Sequence, residues 1–367
     1  MKILVINPLD YRYGTTYRTR TIASSLRQAG LLDKYVESNY EGEKADIISI
    51  CQPDTIKGYV LASFRRFQIC LFRKYDMLFL QNFTPLTFFC LVAAKLRLRK
   101  IIVDWDAFEF MFQKTIFRKL LTFFIEFICP YFVDYISSPS SYLINNIKKR
   151  GISHIIKVPH YIDTSFFEPD EFKRKEMRER MAWADKIIIG YLCAFNPGGI
   201  RDLDNILRVF KNVSLKRADV SLLVIGEGTL EYEAQRLIQR YGIDNFHIVN
   251  IKSQERVVEC LNITDICLIY LKNDIGSLMR TSIKLLIYLS MNKTVIGYLI
   301  GESKDAFGRY VISSGPKIED ISNDILNFIQ NVNCANYNLS RDFITANYDS
   351  RMMGKYLNNM LGLLQSK

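Results

Sequence analysis

Apolar residues fall into short runs separated by amphipathic stretches. KILVINP (2–8) is an apolar run ending at a proline, and it reads as a short buried strand. A polar loop with Gly14 follows. TRTIASSLRQAG (19–30) then places Ile22, Ala23 and Leu26 at helical spacing, with Gly30 suited to a C-terminal cap. Strand, glycine loop and helix open a βαβ unit. ADIISI (45–50), DMLFLQ (76–81), KIIVDWD (100–106) and YISSPS (135–140) are further strand candidates alternating with helical patterns. The series closes near IIKVPHYID (155–163). Near-continuous apolar strands that alternate with helices predict a parallel sheet covered on both faces.

EPDEFKRKEMRERMAWADK (168–186) is highly charged and reads as a linker with its adjoining helix. A second alternating series begins at IIIGYLCAF (187–195), a strand followed by a glycine loop. DLDNILRVFKNV (202–213) reads as a helix, VSLLVIGEG (220–228) as a strand and LEYEAQRLIQRYG (230–242) as a helix. FHIVN (246–250) and DICLIY (265–270) are strands, SIKLLIYLSMN (282–292) is a helix and TVIGYLI (294–300) is a strand. The pattern therefore predicts two doubly wound α/β domains, at residues 1–167 and 168–345. The tail, 341–367, reads as one amphipathic helix with Met352, Met353, Tyr356, Leu357, Met360 and Leu361 on or near one face.

Composition agrees with this. At 367 residues the chain exceeds one ordinary core, and 49% apolar against 24% charged residues marks it as globular. The formal charge of +11 suits an anionic partner: a nucleic acid, a lipid surface or a phosphorylated substrate. Eight cysteines include no CxxC pair, and only three histidines are present. A reduced chain without a metal site is the simpler expectation. No signal peptide and no apolar run long enough to span a bilayer is evident, so a cytoplasmic location is expected.

Ligands of open α/β sheets bind beyond the carboxyl ends of the strands, so the candidate residues follow strands, and the natural site is a cleft between the two domains. Gly14, near Arg18, lies in the first loop, where it either lets backbone amides approach a ligand or makes a tight turn. Gly226-Glu227-Gly228 ends a strand before a helix, with the same two readings. Arg201 follows Asn196-Pro197-Gly198-Gly199, and it either holds a diphosphate or is a surface cation. Arg280, Thr281, Ser282 and Lys284 precede or open an apolar helix, where amides such as that of Ile283 lack intrahelical partners. They form an anion site or a simple cap. Asp104-Trp105-Asp106 ends a strand, and either carboxylate orients an acceptor hydroxyl, acts as a base or caps the next helix. FRRFQICLFRK (64–74), AAKLRLRK (93–100) and FQKTIFRKLLTFFIEF (112–127) interleave cations with aromatics and leucines. They suit an anionic membrane surface, or else are helices with one apolar and one solvated face. No nucleic-acid recognition motif accompanies them.

The order of IIIGYLCAF, the glycine loop with Arg201, DLDNILRVF, ADVSLLVIGEGTLEYEAQRLI, TDICLIYLKN and RTSIKLLIYLSMNKTVIG resembles the donor domain of family 4 type glycosyltransferases. VPHYIDTSFFEP (158–169) is similar to the family's hinge. The resemblance implies the GT-B fold, two Rossmann-like domains facing across a cleft, with a final helix (346–367) packing back on the first domain. It implies a nucleotide-diphosphate sugar in the second domain and an acceptor on the first, near Arg18, Asp104, Asp106 and His160. It also implies retention of configuration and no metal. Arg201 and Lys284 match the cations that stabilise the leaving diphosphate, with the Ser282 and Ile283 amides beside them. The family's paired glutamates fall at Met279 and Ile287, a family arginine at Ala194, a histidine at Asp106 and the hinge asparagine at His160. Losing the ribose contact at Ile287 costs roughly 1–3 kcal/mol of donor binding.

The expected activity is transfer of a sugar to a glycan or lipid-linked glycan in cell-surface polysaccharide synthesis, on the inner face of the membrane. A non-catalytic partner that binds another protein and a sugar-nucleotide epimerase of the same fold are the alternatives.

Overall fold

The structure is a computed structural model that describes residues 1–9, 14–40, 42, 44–52, 55–113, 115–181, 183–228, 230–251, 253–279, 281–331, 339–357 and 362. The chain divides into two compact units. Unit 1 holds Met1–Tyr161, Leu278–Thr281 and Ser350–Lys367, and unit 2 holds Ile162–Ser277 and Ser282–Asp349.

Unit 1 carries seven strands: β1 (Ile3–Ile6), β2 (Leu32–Ser38), β3 (Ile47–Ile50), β4 (Met77–Gln81), β5 (Lys100–Asp104), β6 (Tyr135–Ser138) and β7 (Ile155–Lys157). All pair in parallel, in the order β3-β2-β1-β4-β5-β6-β7. The helices are α1 (Gly14–Gln28), α2 (Ile56–Phe72), α3 (Pro85–Leu96), α4 (Ile116–Ile128) and α5 (Ser141–Lys149). Hydroxyls start four of them. Thr55, Thr84, Thr115 and Ser140 each accept an amide hydrogen bond from three residues on. Thr84 and Thr87 form a full capping box, with Pro85 in the first turn, so α3 begins sharply at the end of β4. One face of the sheet packs α2 to α5 around residues such as Leu80, Val103 and Leu143. The other packs α1 and the returning tail around Val5, Phe79 and Met353.

Unit 2 carries β8 (Ile187–Ala194), β9 (Val220–Glu227), β10 (Phe246–Asn250), β11 (Ile266–Tyr270), β12 (Thr294–Tyr298) and β13 (Val311–Ile312), parallel and ordered β10-β9-β8-β11-β12-β13. Its helices are α6 (Glu171–Arg180), α7 (Pro197–Ser214), α8 (Glu231–Arg240), α9 (Gln254–Ile263), α10 (Ile275–Leu278), α11 (Ile283–Ser290), α12 (Gly301–Phe307), α13 (Ile318–Gln330) and α14 (Leu339–Tyr348). Its core gathers α7, α8 and α13 against β8, β9 and β11.

Several boundaries differ from expectation. The charged segment read as a linker with its adjoining helix is largely helix: α6 is tied down within unit 2 by Arg178, 2.9 Å from Asp265, and by Arg174 on the Asn262 and Thr264 carbonyls. Asp265 in turn accepts the Ile188 amide at 2.7 Å, so the charged helix is fastened to the start of β8. The tail is not one helix. Asp349 ends α14, bridging Ile162 and accepting from the Thr164 hydroxyl, and the chain then passes into unit 1 through a 3-10 turn at Ser350–Met352. Met353 and Leu357 are buried there, while Met360 and Leu361 lie outside the described residues. Helices α1 and α7 begin earlier than their apolar spacing suggests. Asn196 accepts the Gly199 amide at 2.9 Å and Pro197 opens α7, so the glycines and Arg201 lie on the helix rather than in a loop before it.

Gly226 and Gly228 have a backbone task. A Cβ on Gly226 would overlap the Cys193 carbonyl oxygen, and Gly228, at φ +142°, lies against the Phe195 carbonyl. Gly226→Ala is expected to lower unfolding stability by about 1–3 kcal/mol, from the backbone shift needed to admit a methyl group. Urea unfolding measures this, and an unchanged midpoint would refute the close approach.

Candidate functional site

The strand order of an open parallel sheet reverses at one point, where connections leave to opposite faces and open a crevice at the carboxyl ends. In unit 2 the reversal lies between β8 and β11. Helix α11 starts beside it. Ser282 stands at its N-cap but makes no side-chain cap, and its own amide donates to the Ser303 hydroxyl at 3.3 Å. The reading of Ser282 as a simple cap therefore does not hold. Lys284 lies in the first turn, its Nζ 3.2 Å from the Tyr191 hydroxyl and 4.6 Å from the centre of that ring. One turn on, Tyr288 is fully buried and accepts the Leu192 amide at 2.7 Å, which fastens α11 to β8. Sequence reasoning passed over Tyr191 because a tyrosine within an apolar strand reads as core.

The other predicted donor residues have these surroundings. Cys193 lies close enough to Lys284 and Asp202 to feel both charges, and burial dominates, pushing its thiol up to about 11. Arg201 is about half exposed, with Asp202 at 3.6 Å and Asp274 at 3.7 Å. Ion pairs this exposed hold a side chain loosely. Glu227 ends β9, and its carbonyl accepts the Phe195 amide at 2.8 Å. Gly226 and Gly228 are pressed against backbone, so they shape the edge rather than offer amides across an open loop. Ile283 is half-buried and Thr281 buried, while Arg280 lies outside the described residues. No carboxylate stands at Ile287, which is half-buried on α11, or at Met279, which is fully buried.

In unit 1 the reversal lies between β1 and β4. Gly14 opens α1 there, with residues 10–13 outside the described chain. Arg18 and Asp104 form a fully buried pair, Nε to Oδ2 at 2.7 Å and Nη2 to Oδ1 at 2.8 Å. Ser137 donates to the same carboxylate at 2.6 Å. The remaining guanidinium hydrogens reach the Val158 and Pro159 carbonyls at 2.8 and 2.6 Å. Neither side chain has exposed surface to offer an acceptor. They fix instead the backbone that leads into His160. That imidazole is buried, its Nδ1 has no partner among the described residues, and burial followed by the Arg18 charge holds it neutral.

Asp106, just beyond β5, is no helix cap, since Thr115 caps α4. It shares the amide of Asn82 with Glu109: Nδ2 donates to Asp106 at 2.8 Å and to Glu109 at 2.6 Å. Asn82 follows β4 directly, in the left-handed region at φ +56°. Burial and then the Asp104 charge push Asp106 up, with hydrogen bonds from Asn82 and Thr15 and the Arg18 charge opposing. Glu109 keeps some surface, yet burial and Asp106 push it up to about 8. Glu126 on α4 is buried, and burial above all pushes it to about 8 as well, although the Glu109 and Phe110 amides and Trp105 Nε1 all donate to it. Asn82 and Glu109 went unnoticed in the sequence. The polar pair Gln81-Asn82 closing an apolar strand was the available signal. Among the described residues no group of His, Cys, Asp or Glu is arranged to hold a metal ion.

Both reversal points thus gather polar chemistry, cationic in unit 2 and carboxylate-rich in unit 1. Residues 173–347 match the family model of Glycosyl transferases group 1. The chain has the GT-B fold. It is similar to Anabaena Alr3699/HepE, solved with UDP and glucose, at TM-score 0.77 and 10% identity, covering 99% of each chain. Sucrose-phosphate synthase (tll1590) from Thermosynechococcus elongatus aligns at TM-score 0.78 and 12% identity, over 100% of this chain and 99% of that one. WaaG, a glycosyltransferase involved in lipopolysaccharide biosynthesis, aligns at TM-score 0.72 and 12% identity, over 97% and 98%. No curated protein matches by sequence.

Asp104→Ala strands a buried guanidinium, and a loss of about 3–5 kcal/mol in unfolding free energy is expected. A loss under 1 kcal/mol in denaturant titration would contradict the burial. Glu126 has a folded pKa above its ordinary 4.5, so folding favours its protonated form. Its contribution is complete below about 4.5 and fades as pH rises toward about 8. Glu126→Gln should flatten the fall in stability across that window, as read from urea midpoints at several pH values.

Proposed function

We propose that the protein transfers a sugar from a nucleotide-diphosphate donor to a glycan or lipid-linked glycan, in cell-surface polysaccharide synthesis at the inner face of a membrane. The observation that carries this reading is Lys284 in the first turn of α11, a helix start with no side-chain cap, inside the segment that matches Glycosyl transferases group 1. A helix N-terminus with a cation beside it suits a diphosphate. Lys284, Arg201, Arg280 and Thr281, with the amides at Ser282 and Ile283, would hold the donor phosphates. Arg201 would exchange Asp202 and Asp274 for them.

On the acceptor side, Asp106 and neutral His160 would receive hydrogen bonds from sugar hydroxyls, with Arg18 and Asp104 positioning His160. The acceptor oxygen bonds to the anomeric carbon as the bond from that carbon to the diphosphate oxygen breaks. A donor phosphate oxygen takes the hydroxyl proton, so the diphosphate leaves protonated with net retention and no metal. The resemblance to family 4 type enzymes supports this route, and Lys284 and Arg201 would stabilise the charge that develops.

The second reading, a non-catalytic protein that binds a partner, is favoured by Ile287 and Met279, which leave the ribose and the donor sugar without a carboxylate. Calorimetric titration with UDP, GDP and ADP separates the two. UDP is the first choice because HepE was solved with it. Selective binding of one nucleotide, weakened roughly tenfold or more in Lys284→Ala, is expected. No binding of any at millimolar concentration would favour the non-catalytic reading. Ile287→Glu should tighten the same binding, and no gain would place the ribose elsewhere.

A further inference from the structure

Helix α4 is built inside out. Its buried residues are Thr122, Ile125 and Glu126, two of them polar. Its exposed ones include Ile116, Phe117, Leu120, Phe124, Phe127 and Ile128. A surface helix of a globular domain normally shows the reverse pattern. The neighbouring helices share the anomaly. Of the 25 large apolar side chains exposed among the described residues, 20 fall between Ile56 and Phe132, on unit 1 alone. Helix α3 packs against both α2 and α4, and Arg118 of α4 lies 4.8 Å over the Tyr59 ring of α2, so the three helices form one layer. An apolar face of this kind marks an interaction surface.

Charge identifies what it meets. Residues 56–132 contain 12 Lys and Arg against 5 Asp and Glu, a net +7 within the chain's +11. Of the acids, Asp104 and Glu126 are buried, Asp106 and Glu109 bond Asn82, and Asp76 alone is exposed. Lys57, Arg65, Lys74, Lys95, Lys100 and Lys119 are all exposed, interspersed with the apolar residues. At the end of α3, Leu98 stands 92% exposed between Arg97 and Arg99, at φ +53°. Glycine or asparagine makes such a turn more easily, and the leucine instead presents an apolar tip among cations. A second copy of this face would bring like charge to like charge.

We propose that the outer face of α2, α3 and α4 is a membrane-docking surface, in which the apolar residues of α4 enter the acyl boundary of an anionic leaflet while the surrounding cations meet its headgroups. No helix among the described residues is long and apolar enough to cross a membrane, so the contact is interfacial. The surface also reaches the carboxyl edge of unit 1. Ring contacts run from Trp105 to Phe108 at 5.5 Å, on to Phe110 at 5.9 Å and to Phe123 of α4 at 5.4 Å. Asp106 directly follows Trp105, so a headgroup on this leaflet lies near the one carboxyl group assigned above to the acceptor. The docking surface deepens the lipid-linked reading of the acceptor and rests on it only for that last step.

Flotation of the full chain tests the surface, using vesicles of equal parts phosphatidylethanolamine and phosphatidylglycerol, with phosphatidylcholine vesicles as the neutral control. The chain is expected to float with the anionic vesicles and to stay behind with the neutral ones. Phe117→Asp with Phe124→Asp should weaken vesicle binding by roughly tenfold or more, with thermal unfolding and the UDP titration unchanged. Leu98→Asp, at the end of a different helix, should weaken it by a smaller factor and guards against a folding defect in α4. A wild-type chain that ignores anionic vesicles, or a double variant that binds them undiminished, overturns the proposal. So does a dimer in sedimentation that the double variant dissolves while vesicles have no effect. Vesicle binding without nucleotide binding would sink the transferase reading alone, and nucleotide binding without vesicle binding would sink only the docking surface.

Discussion

A parallel sheet sandwiched between helices has no wet face, so its strands are apolar along their length and polar side chains collect where strands end. Every strand pair in this chain is parallel among the described residues. The placement of chemistry follows from that. Asn7, Asn82 and Asp106 lie just past the ends of β1, β4 and β5, and Glu227 closes β9. The reversal of strand order then selects which of these ends stand together, β1 with β4 in unit 1 and β8 with β11 in unit 2.

Charge at these edges does two kinds of work, separated by burial. Arg18 is satisfied by Asp104 and two backbone carbonyls and touches no solvent, so its energy goes into fixing the chain before His160. Removing either partner of such a pair is far more damaging than its net contribution suggests, because the other is left charged in a poor solvent. Lys284 is the opposite case. It rests on the Tyr191 ring, an attraction weak enough for a phosphate to replace. The buried pair holds geometry, and the partly exposed cation rests on an aromatic ring.

Much of the architecture was legible because its signals are local. Strand and helix alternation, the two successive domains and the helix start at Ser282 all come from apolar spacing and capping residues. The rest depended on contacts distant in sequence. Strand β2 was missed because Asp33, Lys34 and Glu37 break its apolar run, and only the fold brings Arg20 to Glu37. The role of Gly226 appears once the β8–β9 register sets it against Cys193. Asn82 joins Asp106 and Glu109 across 24 and 27 residues. The periodicity of α4 is strong in the sequence, yet periodicity alone does not say which face turns inward.

The two edges solve one topological problem with opposite chemistry. The α11 edge of unit 2 presents a cation and a helix start without a side-chain cap, which suits a group arriving with negative charge. Unit 1 presents carboxyl groups whose burial favours the protonated form, together with a neutral imidazole, and these suit uncharged hydroxyls. An anionic diphosphate would be repelled by Asp106 once ionised, and a sugar hydroxyl gains little from Lys284. A cationic edge in one unit and a neutral, hydrogen-bonding edge in the other are thus already present in the ionisation of these residues. Ile287 and Met279, both apolar, add no charge that would reverse either edge's sign.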